Sequence, residues 1–218
     1  MSNKEREDFH RTQSQYFNER ADVFLQPIPE VIQAKTRAIA EAIDLSPLST
    51  ILDVGCGAGA LIFHYLECEV EEKNIVGLDL SDGMLNNARK KFPRATLLKG
   101  NILDLPEDLA KIGIPPFIKG FDAVVFNACF GNIFDQEGAM RKAKAALNPR
   151  GKIVVSHPLG ARFVAQLRAK EPHIVPHLLP RQEELEQWAT LLEMSLSRFE
   201  DSQDFYIAIL EWQESAKN

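Results

Sequence analysis

Apolar positions recur with a helical period at the start of this chain and then gather into short runs. Over residues 1 to about 45 the pattern predicts helix in at least two pieces, separated by QPIPE. The second piece places Val31, Ile32, Ala38, Ile39, Ala42 and Ile43 close to one face at helical spacing. From Ile51 onward, short apolar runs alternate with amphipathic stretches. Strands are predicted at 51–54, 74–80, 95–100, 121–128 and 152–158, with helices near 58–68, 82–92 and 136–147. Ser81 and Asp135 stand where helix N-caps belong, and Arg89, Lys90 and Lys91 occupy a last turn, where cations suit the helix dipole. GIPP splits the segment before 121 into a short helix and a loop, and NPRG reads as a turn before the fifth strand. Another helical region spans 159–194, broken by EPHIVPHLLP. The end reads as two strands around a tight turn near Asp201 to Asp204.

Strands alternating with helices predict an α/β, doubly wound, mostly parallel sheet with right-handed crossovers. The terminal hairpin must add an antiparallel strand, because so short a turn cannot make a parallel connection. In such a sheet, ligands are expected beyond the carboxyl ends of the strands.

Composition narrows the class without changing that picture. The 218 residues favour one domain, or one with an appended subdomain, and 45% hydrophobic with 26% charged residues is ordinary for a soluble globular chain. A net charge of -6 argues against nucleic-acid binding, which usually wants a basic face. Cys56, Cys68 and Cys129 form neither a C-x-x-C pair nor zinc spacing, so they read as reduced thiols, with no metal site expected. The polar N-terminus is not a secretory signal, and no window approaches the roughly 18 apolar residues of a membrane span. The expected location is cytoplasmic, or an organellar matrix or stroma. Oligomeric state is not readable.

Candidate chemistry sits in ILDVGCGAGALIFHYLE, residues 51–67. A buried strand, a loop with Gly55, Gly57 and Gly59, and a helix start together let a ligand touch backbone at a positive helix end. GCGAGA fits two adenosine cofactors, a dinucleotide and S-adenosylmethionine. Asp79, at the end of the next strand, can accept the ribose hydroxyls of either. Three features favour the methionine cofactor. Asp53 would repel a pyrophosphate but meet an ammonium group. Asn101 and Ile102 arrive where an adenine edge would lie, the first to bond the exocyclic amine and the second a ring nitrogen. The chain is also short for the separate substrate domain that many dehydrogenases carry.

In this order and spacing, LDVGCGAGAL, VGLDLS, GNILDLP, FDAVVFNACFGN and LNPRGKIVVS resemble the class I S-adenosylmethionine-dependent methyltransferases over about residues 45–212. Within that superfamily the look is nearest to small-molecule enzymes of the ubiquinone/menaquinone-biosynthesis type. QYFNERADVF is similar to the aromatic segment that often closes over the cofactor there, which makes Tyr16 and Phe17 lid candidates. The resemblance implies a seven-stranded sheet, with Asp53, Gly55, Cys56, Gly57 and Gly59 around the methionine moiety and Asp79 at the ribose. It implies Leu80, Asn101 and Ile102 at the adenine, and Asn127 with Ala128 near the methionine tail. Asn101 departs from the aspartate most often found there. The implied division is a helical lid over 1–45 and a cofactor-binding domain over 46–218, whose insert at 158–194 helps form the acceptor pocket.

Methyl transfer from a sulfonium leaves a neutral group behind, so alignment, exclusion of water and removal of any acceptor proton are what a protein must add. His157, after the fifth strand, is the candidate general base. His64 reads as a packed core residue, while His173 and His177 fall in the lid or a loop. Arg162 and Arg168 are candidates to meet an anionic acceptor, or ordinary helix charge. The expected activity is S-adenosylmethionine-dependent methyl transfer to a small organic molecule. Its rivals are a protein or RNA acceptor, a non-enzymatic cofactor-binding module, and a nicotinamide-dependent reductase.

Overall fold

A computed structural model describes residues 3–212. Helices α1 (Asn3–Glu19) and α2 (Glu30–Ala42) lead into β1 (Ile51–Val54), α3 (Ala60–Glu67), β2 (Ile75–Asp79), α4 (Asp82–Lys91), β3 (Thr96–Lys99) and β4 (Phe121–Asn127). Then come α5 (Gln136–Ala146), β5 (Leu147–His157), α6 (Gly160–Lys170), α7 (Gln182–Leu191), β6 (Met194–Ser202) and β7 (Phe205–Trp212). The strands make one sheet in the order β3-β2-β1-β4-β5-β7-β6, with β7 alone reversed.

Alternate residues of the central strands feed two separate cores, as the two-residue period of a strand requires. Leu52, Val54, Val124, Phe126, Ile153 and Val155 face α5, α6, α7 and the loop 102–118. Ile51, Ile75, Ala123, Val125 and Val154 face α2, α3 and α4. Both faces are covered, which is why these strands read as continuous apolar runs. The caps stand as expected. Ser81 Oγ accepts from Met84 N, and the Asp135 carboxylate accepts from Gly138 N.

Two segments differ from the sequence reading. NPRG is not a turn before β5 but a bulge inside it. Phe121 pairs with Leu147 and Ala123 with Lys152, so the extra residues of β5 loop out, with Arg150 at φ 68°. The helical start of the chain also divides. α2 buries Thr36, Ile39 and Ala40 and packs against α3 in the helical layer, whereas α1 lies across the carboxyl ends of the strands. Among the described residues, none from 158–194 lines the cavity below α1, and α6 and α7 cover β5, β6 and β7 instead. No described helix is long and apolar enough to cross a membrane.

Candidate functional site

β1 and β2 end side by side, and the chain leaves β1 through a turn that folds back onto β2. Gly55 N and Cys56 N both donate to Leu78 O, at 2.7 and 3.0 Å. Gly55 has φ 66°, and a Cβ there would lie 2.6 Å from Cys129 Cβ, so no larger residue fits. Gly59 has φ 81° at the N-cap of α3, where a Cβ would run into the Phe92 ring. The turn thus presses its backbone against the strand ends and leaves open space above them.

That space is a cavity of about 480 Å³ between the strand ends and α1, within the range of small-molecule sites. Asp53, Gly55, Cys56, Gly57, Asp79, Leu80, Asn101, Ile102, Asn127 and Ala128 all line it. Ten of the sequence-derived positions therefore meet in one place, carried there by β1, β2, β4 and the turn after β3.

The two carboxylates differ sharply in their surroundings. Asp79 Oδ2 accepts from Gly57 N at 2.9 Å and Oδ1 from Ser81 N at 2.8 Å. Burial raises its pKa, and these backbone donors oppose the rise. Asp53 is 2% exposed, and its Oδ2 is buried without a hydrogen-bond partner. Burial first, and the Asp79 charge second, push its pKa up to about 8 from an ordinary 3.8. The Tyr65 hydroxyl, which feels the Asp53 charge, is also buried and unpartnered. Burial and the same two carboxylates raise the Cys56 and Cys129 thiols well above their ordinary range, so neither is a thiolate nucleophile.

Toward β3, Asn101 Oδ1 accepts from Leu103 N at 2.9 Å, and its Nδ2 lies 2.6 Å from His10 Nε2 on α1. Toward β4, Asn127 Oδ1 accepts from Ser156 Oγ at 3.1 Å. Ala128, the next residue, has φ 56°, a strained value for a residue with a Cβ.

Three expected positions fall elsewhere. Gly59 shapes the start of α3 without lining the cavity. Tyr16 points away and stacks under the Arg20 guanidinium at 3.7 Å, while Phe17 takes the cavity side of α1. His157 stands outside the cavity: it is 6% exposed, its Nδ1 accepts from Leu159 N at 3.1 Å, and burial pushes its pKa down to about 4. The geometry therefore does not bring His157 together with the other candidate positions. His64 and His177 are held by contacts away from the cavity. His64 is buried with Nδ1 2.6 Å from Glu67 Oε2, and His177 Nε2 lies 3.1 Å from Phe134 O. Arg168 donates to Pro176 O rather than to the cavity. Among the described residues, no group of three or more His, Cys, Asp or Glu is placed to hold a metal ion.

The sequence reading missed Phe9, His10 and Gln13 of α1 and residues 26–29, which line the cavity; Val23 and Phe24, in the expected closing segment QYFNERADVF, line it as well. Phe9, Gln13 and Phe17 repeat at four-residue spacing, a signal of one helix face that was available. Segment 23–29 carries no periodic signal. Its Val23, Phe24 and Ile28 line the cavity and remain partly exposed at its rim.

Comparison with known proteins adds to this geometry. The profile of a methyltransferase domain family matches residues 45–210. An uncharacterized methyltransferase of Schizosaccharomyces pombe is 33% identical over 112 residues, covering 49% of this chain and 38% of that protein. A ubiquinone/menaquinone biosynthesis C-methyltransferase of Vibrio cholerae is 28% identical over 109 residues, 50% of this chain and 41% of that protein. The chain thus spans less than half the length of these curated relatives. Magnesium protoporphyrin IX methyltransferase of Synechocystis, solved with bound S-adenosylhomocysteine, superposes with a TM-score of 0.66 at 13% identity, over 92% of this chain and 98% of that one. At that identity the likeness is one of fold.

Proposed function

This chain belongs to the methyltransferase domain family, and from that premise we propose that it transfers a methyl group from S-adenosylmethionine to a small, largely apolar organic acceptor. The observation that carries the reading is the orphaned Asp53 carboxyl. A buried acid with no partner, beside a second carboxylate, fits a cationic ligand and disfavours a pyrophosphate. The amino acid part of S-adenosylmethionine supplies such a cation, and its sulfonium supplies an activated methyl.

The residues divide the work by position. Asp53, Gly55, Cys56 and Gly57 receive the methionine end, with Asn127 and Ala128 beside it. Asp79 keeps free lone pairs for the ribose hydroxyls beyond its two backbone bonds. Leu80, Asn101 and Ile102 meet the adenine. α1 shuts the top of the cavity and so excludes water while the reactants are held in line. On this reading the chain acts by alignment and shielding, without a dedicated base. His157 is outside the cavity, and His10 is engaged by Asn101. Such a site favours an acceptor whose reacting atom is already nucleophilic.

Support for a small apolar acceptor comes from segment 23–29. It offers Val23, Phe24, Pro27, Ile28 and Pro29 to the cavity, and among the described residues that line it Lys91 is the only Lys or Arg. A protein or RNA acceptor would instead call for an open, basic groove.

Titration calorimetry with S-adenosylmethionine, S-adenosylhomocysteine and NAD tests the cofactor. The first two are expected to bind, and Asp79→Ala to lose most of that affinity. Binding of NAD alone would overturn the reading.

A further inference from the structure

We propose that His10 is a positioning residue for the cofactor: its imidazole fixes the Asn101 carboxamide and latches the first half of α1 over the adenine end of the cavity. The ligand in this inference rests on the S-adenosylmethionine reading above; the latch rests on geometry alone.

The orientation of Asn101 is decided by its neighbour. Leu103 N can only donate, so the atom facing it at 2.9 Å is the Asn101 oxygen, which caps the short turn 102–104. The other arm of the carboxamide is therefore the NH2 group, 2.6 Å from His10 Nε2. That nitrogen must be the bare one, with the ring hydrogen on Nδ1. Burial, the largest influence, holds the His10 pKa below its ordinary value and so favours this neutral ring; Asp104 opposes the shift and Arg6 adds to it. An aspartate at 101 would have no hydrogen to give. A neutral histidine on the lid and an asparagine below it are thus a matched pair.

The two halves of α1 are held differently. Residues 14–21 are tied to the α4 side. Ser14 Oγ donates to Leu80 O at 2.8 Å, Asn18 Oδ1 accepts from Ser81 Oγ at 2.7 Å and Gly83 N at 2.9 Å, and Asn87 Nδ2 donates to Ala21 O at 3.1 Å. Gln13, at the boundary, donates from Nε2 to Ile174 O and Asn132 O, and the residues before it are tied to other elements. Arg6 pairs with Asp104 at 3.2 Å between partly exposed side chains, a kind of contact that contributes little. Phe9 leans on Phe134 with ring centroids 5.3 Å apart. His10 in this half is bonded to Asn101, a residue assigned to the adenine. Ordering the adenine edge and closing the lid therefore become one event.

The test compares wild type, His10→Leu and His10→Gln in two measurements. Hydrogen exchange on the ligand-free protein reads the latch. His10→Leu is expected to speed exchange in residues 6–12 about tenfold while 14–21 and the thermal midpoint stay unchanged. Release of S-adenosylhomocysteine, followed by displacement, reads the cofactor effect and is expected to quicken about tenfold in the same variant. Gln keeps an oxygen that can accept from Asn101 and is expected to restore both to within about threefold. The proposal is overturned if His10→Leu behaves as wild type, if His10→Gln behaves as His10→Leu, or if α1 loosens along its whole length. Wild type that binds no S-adenosylhomocysteine would overturn the cofactor half through the ligand reading, with the exchange data still deciding the latch.

Discussion

Asp53 and Asp79 lie near the carboxyl ends of adjacent strands and share one electrostatic environment, but only Asp79 is satisfied. Its carboxylate accepts from two backbone N–H groups, while Asp53 Oδ2 accepts from none. The chain thus holds one acid ready for polar contacts and one in need of a positive charge. The difference is set by the glycine turn, which aims Gly57 N at Asp79 and away from Asp53.

Stability of the ligand-free protein is expected to fall as pH rises from about 4 to about 8. Asp53 keeps its proton in the folded state up to about 8 and loses it near 3.8 when unfolded. Across that window the unfolded chain binds fewer protons, so the slope is negative, by at most about 1.4 kcal/mol per pH unit from this group. Asp79, also raised, acts in the same direction. Urea unfolding between pH 5 and 8.5 checks this, and stability that climbs over the window would refute it.

Binding of a cation beside Asp53 is expected to release close to one proton per cofactor near pH 7. The carboxyl is protonated before binding and ionised after it. Calorimetry in buffers of different ionisation enthalpy counts the proton directly. Asp53→Asn should abolish the release and weaken S-adenosylmethionine by about 30-fold or more. An unchanged proton count in that variant would assign the release to another group.

Gly59→Ala is expected to destabilise the fold by about 2 kcal/mol or more. It combines a left-handed backbone with a collision against Phe92. Adding Phe92→Leu should recover part of the loss by removing the collision and leave the backbone strain. Thermal unfolding of the single and double variants separates the two, and full recovery would show that φ contributes nothing.

His157→Asn is expected to leave affinity for S-adenosylhomocysteine within about twofold of wild type, because the residue lies outside the cavity. Asn retains an acceptor for Leu159 N, whereas His157→Ala removes it and should cost about 1–2 kcal/mol in stability. A methyl-transfer assay that loses activity in His157→Asn without loss of stability would restore the residue to catalysis.

Most of the sheet was legible because its strands are short apolar runs separated by capped helices. Ser81 and Asp135 marked the starts of two of those helices through cap chemistry. The start of β5 was not legible. Pro149 and Gly151 carry the composition of a turn, and only pairing of Leu147 with Phe121 turns that stretch into a bulge. The floor of the cavity could be read because glycine turn and acidic strand ends carry their chemistry in sequence order. Its roof could not. Which face of α1 looks down depends on where the helix rests: Tyr16 and Phe17 were both lid candidates by aromatic type, and of the two only Phe17 lines the cavity. His157 lies outside the cavity for a related reason. It pairs with Tyr206 of β7, so the strand continues there and its side chain is buried instead of capping the edge.

The reversed strand bears on how this protein comes into being. β7 lies between β5 and β6, and among the described strands β6 pairs with β7 alone. On a ribosome, residues 194–202 emerge before the partner that must receive them, so the sheet stays unfinished until 205–212 are free. In that interval β5 presents an open edge, the kind of surface that invites pairing with another chain. Delay in making the last strand is therefore the moment at which this fold is most exposed to misassembly.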